Sequence, residues 1–514
     1  MDRQKVAGVW YLENSRFRVE VYQYKTGNLN MRFGAHVFEN QGGVYRAVGD
    51  STIPPQSSVP EALVAAEERI RDWRANQASR NSSSKPAKRP VSPWARFVQR
   101  WAALLLVSAV LIPVTLAPPY ANGPPIRSDG IFYHIWTRAI LERDLSFCKW
   151  TEFGWAWSGR DPSRGVCRNK YPMGLALLRF PIMAPLVDLR PGAPLISRSE
   201  HEASLICGAV ALALVVWLLL SSSYLLGAPV WAANFSALAF VFGTGLFHYG
   251  TYDSSFTHIY SALGLTLLVW LGLRSRKRMP PAVTVAAIAV TCFFLTAIRN
   301  TNLIAILFLL AAASPMPWGG DKRRLPTLRW RVSAAALVGI VAAIILNLAY
   351  NYYATHHLSF STYGDESFFF SRPMQWSVLF SYQRGLLTYY PVLAVGLVAG
   401  FWTRRTRLAA LWLSGLIAGF VTLYGFWASW FLGGGMGHRG FVELMPLAAI
   451  IFAVSLPDLP LERRKPIIIL AAAFSFLTLE IMCGYWAGTF PFSDATREVY
   501  WSHVAGKNSL LPFQ

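Results

Sequence analysis

Apolar runs of about 20 residues recur between Trp101 and Tyr485, and this recurrence constrains the chain more than any other feature in it. A run of that length matches the roughly 30 Å hydrocarbon core of a bilayer. Inside that core no water pairs with backbone N–H and C=O groups, so each run must be a helix that satisfies its own hydrogen bonds. Composition agrees: 54% of the 514 residues are hydrophobic and 15% charged, where a soluble chain carries about a quarter charged residues. The fold class that follows is a polytopic α-helical membrane protein.

The net charge of +21 would suit a nucleic-acid binder, but its distribution does not. Basic residues cluster in short stretches beside the apolar runs: KPAKRP (85–90), RSRKR (274–278), DKRRLPTLRWR (321–331), RRTR (404–407) and ERRK (462–465). A nucleic-acid groove needs one continuous patch, whereas short basic loops between spans mark the cytoplasmic side. Requiring every cluster to lie inside places spans near 98–118, 203–223, 229–248, 256–273, 281–298, 300–314, 332–352, 378–400, 407–428, 440–456 and 466–487. These eleven crossings make 98–487 the transmembrane domain, with the N-terminus in the cytoplasm and the tail 488–514 outside. A further crossing at 171–187 would move RSRKR and DKRR outside, so that segment is expected to be re-entrant or to lie in the outer interface. The first external loop then covers 119–202 and is the largest external feature. No signal peptide opens the chain, so the run after Arg100 is expected to act as an uncleaved signal-anchor in the inner (plasma) membrane.

Residues 1–80 read as a small cytoplasmic α+β domain. GVWYLE, RFRVEVYQY, LNMRFGAHVF and VYRAV have strand composition, with turn residues TGN and ENQGG between them. SSVPEALVAAEERIRDWRANQ reads as an amphipathic helix with Ser58 placed to cap it. Residues 81–97 form a basic linker. The domain holds no catalytic constellation, which suits an accessory module with a cytoplasmic partner.

RSDGIFYHIWTRAILERDLSF (127–147) opens the external loop. Helical spacing puts Phe132, Ile135, Trp136, Ala139 and Ile140 on one face and His134, Arg138 and Glu142 on another, the pattern of a helix lying in the membrane surface. Asp129 precedes it, and capping by Asp129 or Ser128 stays open as its role. A second acid, Asp253 in TYDSSFTHIY, falls in an external turn. Ionisable groups at a bilayer rim are costly and tend to be functional.

Lys170 (RNKYP), Arg299 (IRNTN), Arg384 (FSYQRGLL) and Arg439 (GMGHRGF) are basic residues on that same external side. Snorkelling explains any one of them; four together point to an anionic ligand such as lipid phosphate, which Arg meets with a two-pronged fork. Near Arg439, the glycine run 433–435 allows close backbone approach, and Trp427 and Trp430 suit an interfacial belt or a sugar-stacking face. Glu443, one turn on, is placed to hold the Arg439 guanidinium, and His258 reads as a packed or hydrogen-bonding residue supporting the site. Cys148 and Cys167 share the external loop and form a candidate disulfide, while Cys207, Cys292 and Cys483 read as packing residues. No nucleotide loop, zincin helix, nucleophile elbow or structural-zinc spacing occurs, so no metal is assigned.

The order of these motifs resembles the GT-C class of integral-membrane glycosyltransferases, which includes the protein O-mannosyltransferases and the bacterial aminoarabinose transferases that modify lipid A. The resemblance rests on Asp129 in SDGIFYH, an amphipathic helix, Lys170-Tyr171-Pro172 in NKYPMG, Asp253, Arg299 and the late Arg439 in GMGHRGFVELMP, and it covers 101–485. Gly130 stands where many relatives carry a second acid.

The resemblance implies a polyprenyl-phosphate-linked sugar as donor and an acceptor glycan, lipid or protein, meeting at an external or periplasmic site. Phosphate is a competent leaving group, so one carboxylate suffices as base and no cofactor is required. In that scheme Asp129 takes the acceptor proton and Asp253 orients the acceptor or stabilises oxocarbenium-like charge. Lys170, Tyr171, Arg299, Arg384 and Arg439 hold the donor phosphate, and direct displacement inverts the anomeric carbon. The competing readings are a transporter or flippase of lipid-linked saccharide, which would show paired interrupted helices, and a glycan ligase or polymerase.

Overall fold

The computed structural model describes residues 5–12, 17–26, 30–41, 44–83, 92–116, 123–147, 157–161, 166–275, 281–313, 326–358 and 367–506. The chain divides into two compact units, Met1–Ala95 and Arg96–Gln514.

In the first unit, strands β1 (Lys5–Leu12), β2 (Phe17–Thr26), β3 (Asn30–Gln41) and β4 (Val44–Gln56) form an antiparallel sheet in sequence order. Alternation on β2 turns Phe17, Val19 and Val21 to one face, where Ala62, Ala66 and Ile70 of helix α1 (Val59–Ser83) cover them. Four-residue spacing on the helix and two-residue spacing on the strand build one small core. Ser58 caps α1, its Oγ accepting from the Glu61 N–H at 3.4 Å.

Among its described residues, the second unit is helical apart from a two-stranded ribbon. Its elements are α2 (Pro93–Leu116), α3 (Asp129–Leu141), strands β5 (Trp157–Asp161) and β6 (Val166–Asn169), α4 (Gly174–Met183), α5 (Arg198–Leu225), α6 (Val230–Phe242), α7 (Gly245–Gly250), α8 (His258–Ser275), α9 (Pro281–Ile298) and α10 (Asn302–Ala313). There follow α11 (Pro326–Thr355), α12 (Gln375–Phe380), α13 (Leu386–Tyr389), α14 (Val392–Trp402), α15 (Arg407–Phe426), α16 (Met445–Ser455), α17 (Leu461–Ala487) and α18 (Arg497–Val504).

Among the described residues, six helical segments are long and apolar enough to cross a membrane: Pro93–Leu116, Arg198–Leu225, Trp330–Thr355, Arg407–Phe426, Arg439–Asp458 and Leu461–Ala487. Each coincides with an expected span. The other five expected spans fall on shorter helices. The stretch 229–248 is interrupted between α6 and α7, where Thr244 caps the second piece. The single span expected at 378–400 is divided among α12, α13 and α14, because Gly385 packs against the Ser381 backbone and Pro391 stands at the head of α14. Helix α4, at ten residues, is about 15 Å long and too short to cross a bilayer core.

All of α16 is buried, and it packs against α5, α6 and α14 as the central helix of the unit. The described portion of the expected tail 488–514 contains α18, which packs on α17 with Tyr500 and His503 buried. The face reading of α3 is also corrected. Its polar side does not face solvent; His134 is buried and meets Glu200 of α5 at 2.6 Å, while Phe132, Ile135, Trp136 and Ala139 are buried on the other side. Burial holds His134 below the ordinary histidine range, opposed by the bond to Glu200.

Candidate active site

Chain segments far apart in sequence meet around one cavity of about 500 Å³. Asp129 comes from the first turn of α3, Lys170-Tyr171-Pro172 from the link between β6 and α4, and His258 from the start of α8. Arg299-Asn300-Thr301 come from the α9–α10 connection, Tyr424 from α15, and Arg439 from a 3-10 turn, Arg439–Leu444, that leads into α16. Phe256, Phe368 and Trp427 supply aromatic wall.

Asp129 is the hinge of the network. Its Oδ2 lies 2.6 Å from Arg439 Nη2, and its Oδ1 accepts from the Tyr171 hydroxyl at 2.9 Å. Tyr171 is itself fixed, stacked on Phe132 with ring centroids 5.6 Å apart and edge-on to Tyr133 at 4.8 Å. The capping reading fails: Ser128 makes no side-chain cap bond, and the Asp129 carboxylate points to Tyr171 and Arg439.

A second ion pair backs the opposite wall. Arg299 donates to the buried Glu443 at 2.8 Å, to His258 Nδ1 at 3.1 Å and to the Tyr424 hydroxyl at 3.3 Å. A guanidinium only donates, so His258 accepts through Nδ1. The Lys170 ammonium sits 5.5 Å from the Tyr171 ring centroid. Lys170, Arg299 and Arg439 thus line one cavity with Asp129, and Glu443 stands behind Arg299. Such a site attracts an anion while keeping each arginine pre-oriented by its carboxylate.

Several expected residues lie elsewhere. Asp253 does not line the cavity; it is 3% exposed, with one oxygen 2.9 Å from Arg127 and the other 2.9 Å from His248. Burial pushes its carboxyl up, but His248 and Arg127 outweigh that and hold it below the ordinary range. Arg384 does not line the cavity either. It is buried, and its guanidinium donates to the backbone carbonyls of Gln383 and Phe492. Glu443 pairs with Arg299, not Arg439, because the 3-10 turn has three residues per turn and brings i+3, not i+4, onto the face of Arg439. Trp427 lines the cavity, as do Leu432 and Gly433, both in the left-handed region at φ 56° and 76°. Cys148 and the side chain of Cys167 lie outside the described residues, whereas Cys207 and Cys292 are buried.

Sequence reasoning missed Arg127, His248, Phe256, Tyr424 and Trp486. Arg127 stands two residues before Asp129 and His248 five before Asp253, so both were within reach of the motifs already read. Tyr424 and Trp486 sit in apolar runs that give no such signal.

No family model matches the sequence, and no curated protein matches it. Among solved structures, the chain is similar to ArnT from Cupriavidus metallidurans bound to undecaprenyl phosphate, with 12% identity, a TM-score of 0.45, and 79% of this chain and 70% of that one covered. It is also similar to the Archaeoglobus fulgidus oligosaccharyltransferase tethered to an acceptor peptide, with 12% identity and a TM-score of 0.45 over 77% of this chain and 56% of that one. The chain therefore spans little more than half the length of the oligosaccharyltransferase. Both are membrane glycosyltransferases of the class that the sequence motifs resemble. Likenesses at this level assign no residue, and the site is read below from its own geometry.

Proposed function

We propose that this protein is a membrane glycosyltransferase that moves a sugar from a polyprenyl-phosphate donor to an acceptor hydroxyl, with Asp129 as general base. The observation that carries this reading is one carboxylate held at the cavity wall between Arg439 and Tyr171, with Lys170 and Arg299 lining the same 500 Å³ space. The donor phosphate sits on Lys170, Arg299 and Arg439. As it shares the Arg439 guanidinium, Asp129 loses part of its partner and is released toward the acceptor. The acceptor oxygen attacks the anomeric carbon and its proton passes to Asp129, while the sugar–phosphate bond breaks with its electron pair going to phosphate. The three cations stabilise that departing charge in a site walled by aromatic rings, where each is worth more than in water. Attack opposite the leaving group inverts the anomeric centre, and the scheme uses no cofactor beyond the donor.

The test is release of polyprenyl phosphate from a panel of polyprenyl-phosphate sugars, with acceptor extracts, by purified wild type and Asp129→Asn. Acceptor-dependent release lost in the variant supports the reading. Donor binding without turnover across the panel overturns it and favours a transporter of lipid-linked saccharide.

A further inference from the structure

Asp253 does not line the cavity, yet its position is heavily determined. The peptide carrying Asp129 is held in a conformation that L-residues rarely adopt, since Ser128 has φ 47° and ψ −132°. A backbone of that kind persists only when its surroundings over-determine it. Here the surroundings are the turn 253–255. Arg127 donates to Asp253 at 2.9 Å, and its guanidinium lies 3.7 Å over the Tyr252 ring. Ser255 Oγ donates to the Pro125 carbonyl at 3.0 Å. Gly130 packs so closely on that turn that a Cβ there would fall 2.0 Å from Ser255 Oγ. The turn therefore grips the chain on both sides of Asp129, and this accounts for glycine following the acid.

The turn is fixed in its own right. Trp486 of α17 donates its indole N–H to His248 Nδ1 at 2.9 Å. An indole N–H cannot accept, so Nδ1 is the accepting nitrogen and the proton resides on Nε2, which donates to Asp253 at 2.9 Å. Tyr252 stacks on both rings, 5.1 Å from His248 and 5.9 Å from Trp486. Every bond in the series Trp486, His248, Asp253, Arg127 has an assigned direction.

We propose that Asp253, His248 and Trp486 are positioning residues that act through Arg127 to set the direction of the Asp129 carboxylate. The inference rests on the glycosyltransferase reading for its functional consequence, but its geometric content does not. Removing a member of the series lets residues 127–130 relax and turns Asp129 away from the acceptor, without touching Lys170 or Arg299. Misplacement of a reacting group by about 1 Å can reduce rate about 100-fold.

Two readouts test it. In the sugar-release assay, His248→Leu should lower kcat about 100-fold with donor KM little changed. His248→Gln, which keeps one donor and one acceptor, should recover most of that loss. A KM effect equal to the kcat effect, or no recovery with glutamine, overturns the proposal. The second readout needs no turnover. A thiol introduced by Asp129→Cys, or at the cavity wall by Ser429→Cys, is labelled with a water-soluble maleimide in the presence and absence of Asp253→Asn, the parent chain setting the background. A changed labelling rate at position 129 with an unchanged rate at 429 supports the positioning role. Equal rates in both backgrounds, or parallel changes at both positions, overturn it. Failure of every donor to turn over would sink the glycosyltransferase reading while the labelling result still decides the geometry.

Discussion

Glu443 shows what a single buried charge contributes here. It is wholly enclosed, and Arg299 reaches it at 2.8 Å. Glu443→Leu would leave the Arg299 guanidinium without its carboxylate, which should cost about 3–5 kcal/mol; thermal unfolding in detergent micelles would register it as a lowered Tm. Gly130→Ala should also destabilise, by about 1–3 kcal/mol, since the added methyl meets Ser255 and the neighbouring backbone has to shift. Residue-scale reading of the sequence singled out Asp129, Lys170, Arg299 and Arg439, all of which line the cavity, because charge beside apolar runs is costly enough to need a reason. It singled out Arg384 for the same cause, and that residue does not line the cavity. Sequence reveals that a guanidinium is present, not whether it meets a cavity or two backbone carbonyls. The Asp129–Arg439 pair joins residues 310 positions apart, and nothing local announces it.

At the scale of elements, helix α3 was legible as a helix but not as a buried one. Its mixed composition suggests a surface helix, yet α5 supplies Glu200 to take up His134, so a polar face became an interior one. A pH dependence follows. The folded-state value of His134 lies below its unfolded value near 6.5, so the unfolded chain binds the proton first as pH falls. Stability is therefore fully present above that value and declines below it. Unfolding temperatures measured from pH 8 down to pH 5 should fall on the acid side, and His134→Gln should flatten that part of the curve. An unchanged slope in the variant would remove His134 as the cause. The break of 378–400 into α12, α13 and α14 carries the same lesson: an apolar run of span length says nothing of where Gly385 and Pro391 interrupt it.

At the scale of the whole molecule, hydropathy was enough to recover a many-helix membrane chain, and the six long apolar helices among the described residues fall on expected spans. We propose that the expected eleven-crossing topology holds, with Arg404 in the cytoplasm and the cavity outside. An impermeant thiol reagent applied to intact cells should then label Ser429→Cys, and should label Arg404→Cys only after permeabilisation. The central claim is that binding and chemistry separate within one cavity, the cations holding the phosphate and Asp129 performing the transfer. The most direct measurement is undecaprenyl phosphate binding alongside sugar release for wild type, Arg299→Gln and Asp129→Asn. The account predicts that Asp129→Asn binds the lipid at least as well as wild type and releases no sugar, while Arg299→Gln binds it more weakly. Wild-type sugar release by Asp129→Asn, or lipid binding indifferent to Arg299→Gln, would contradict it.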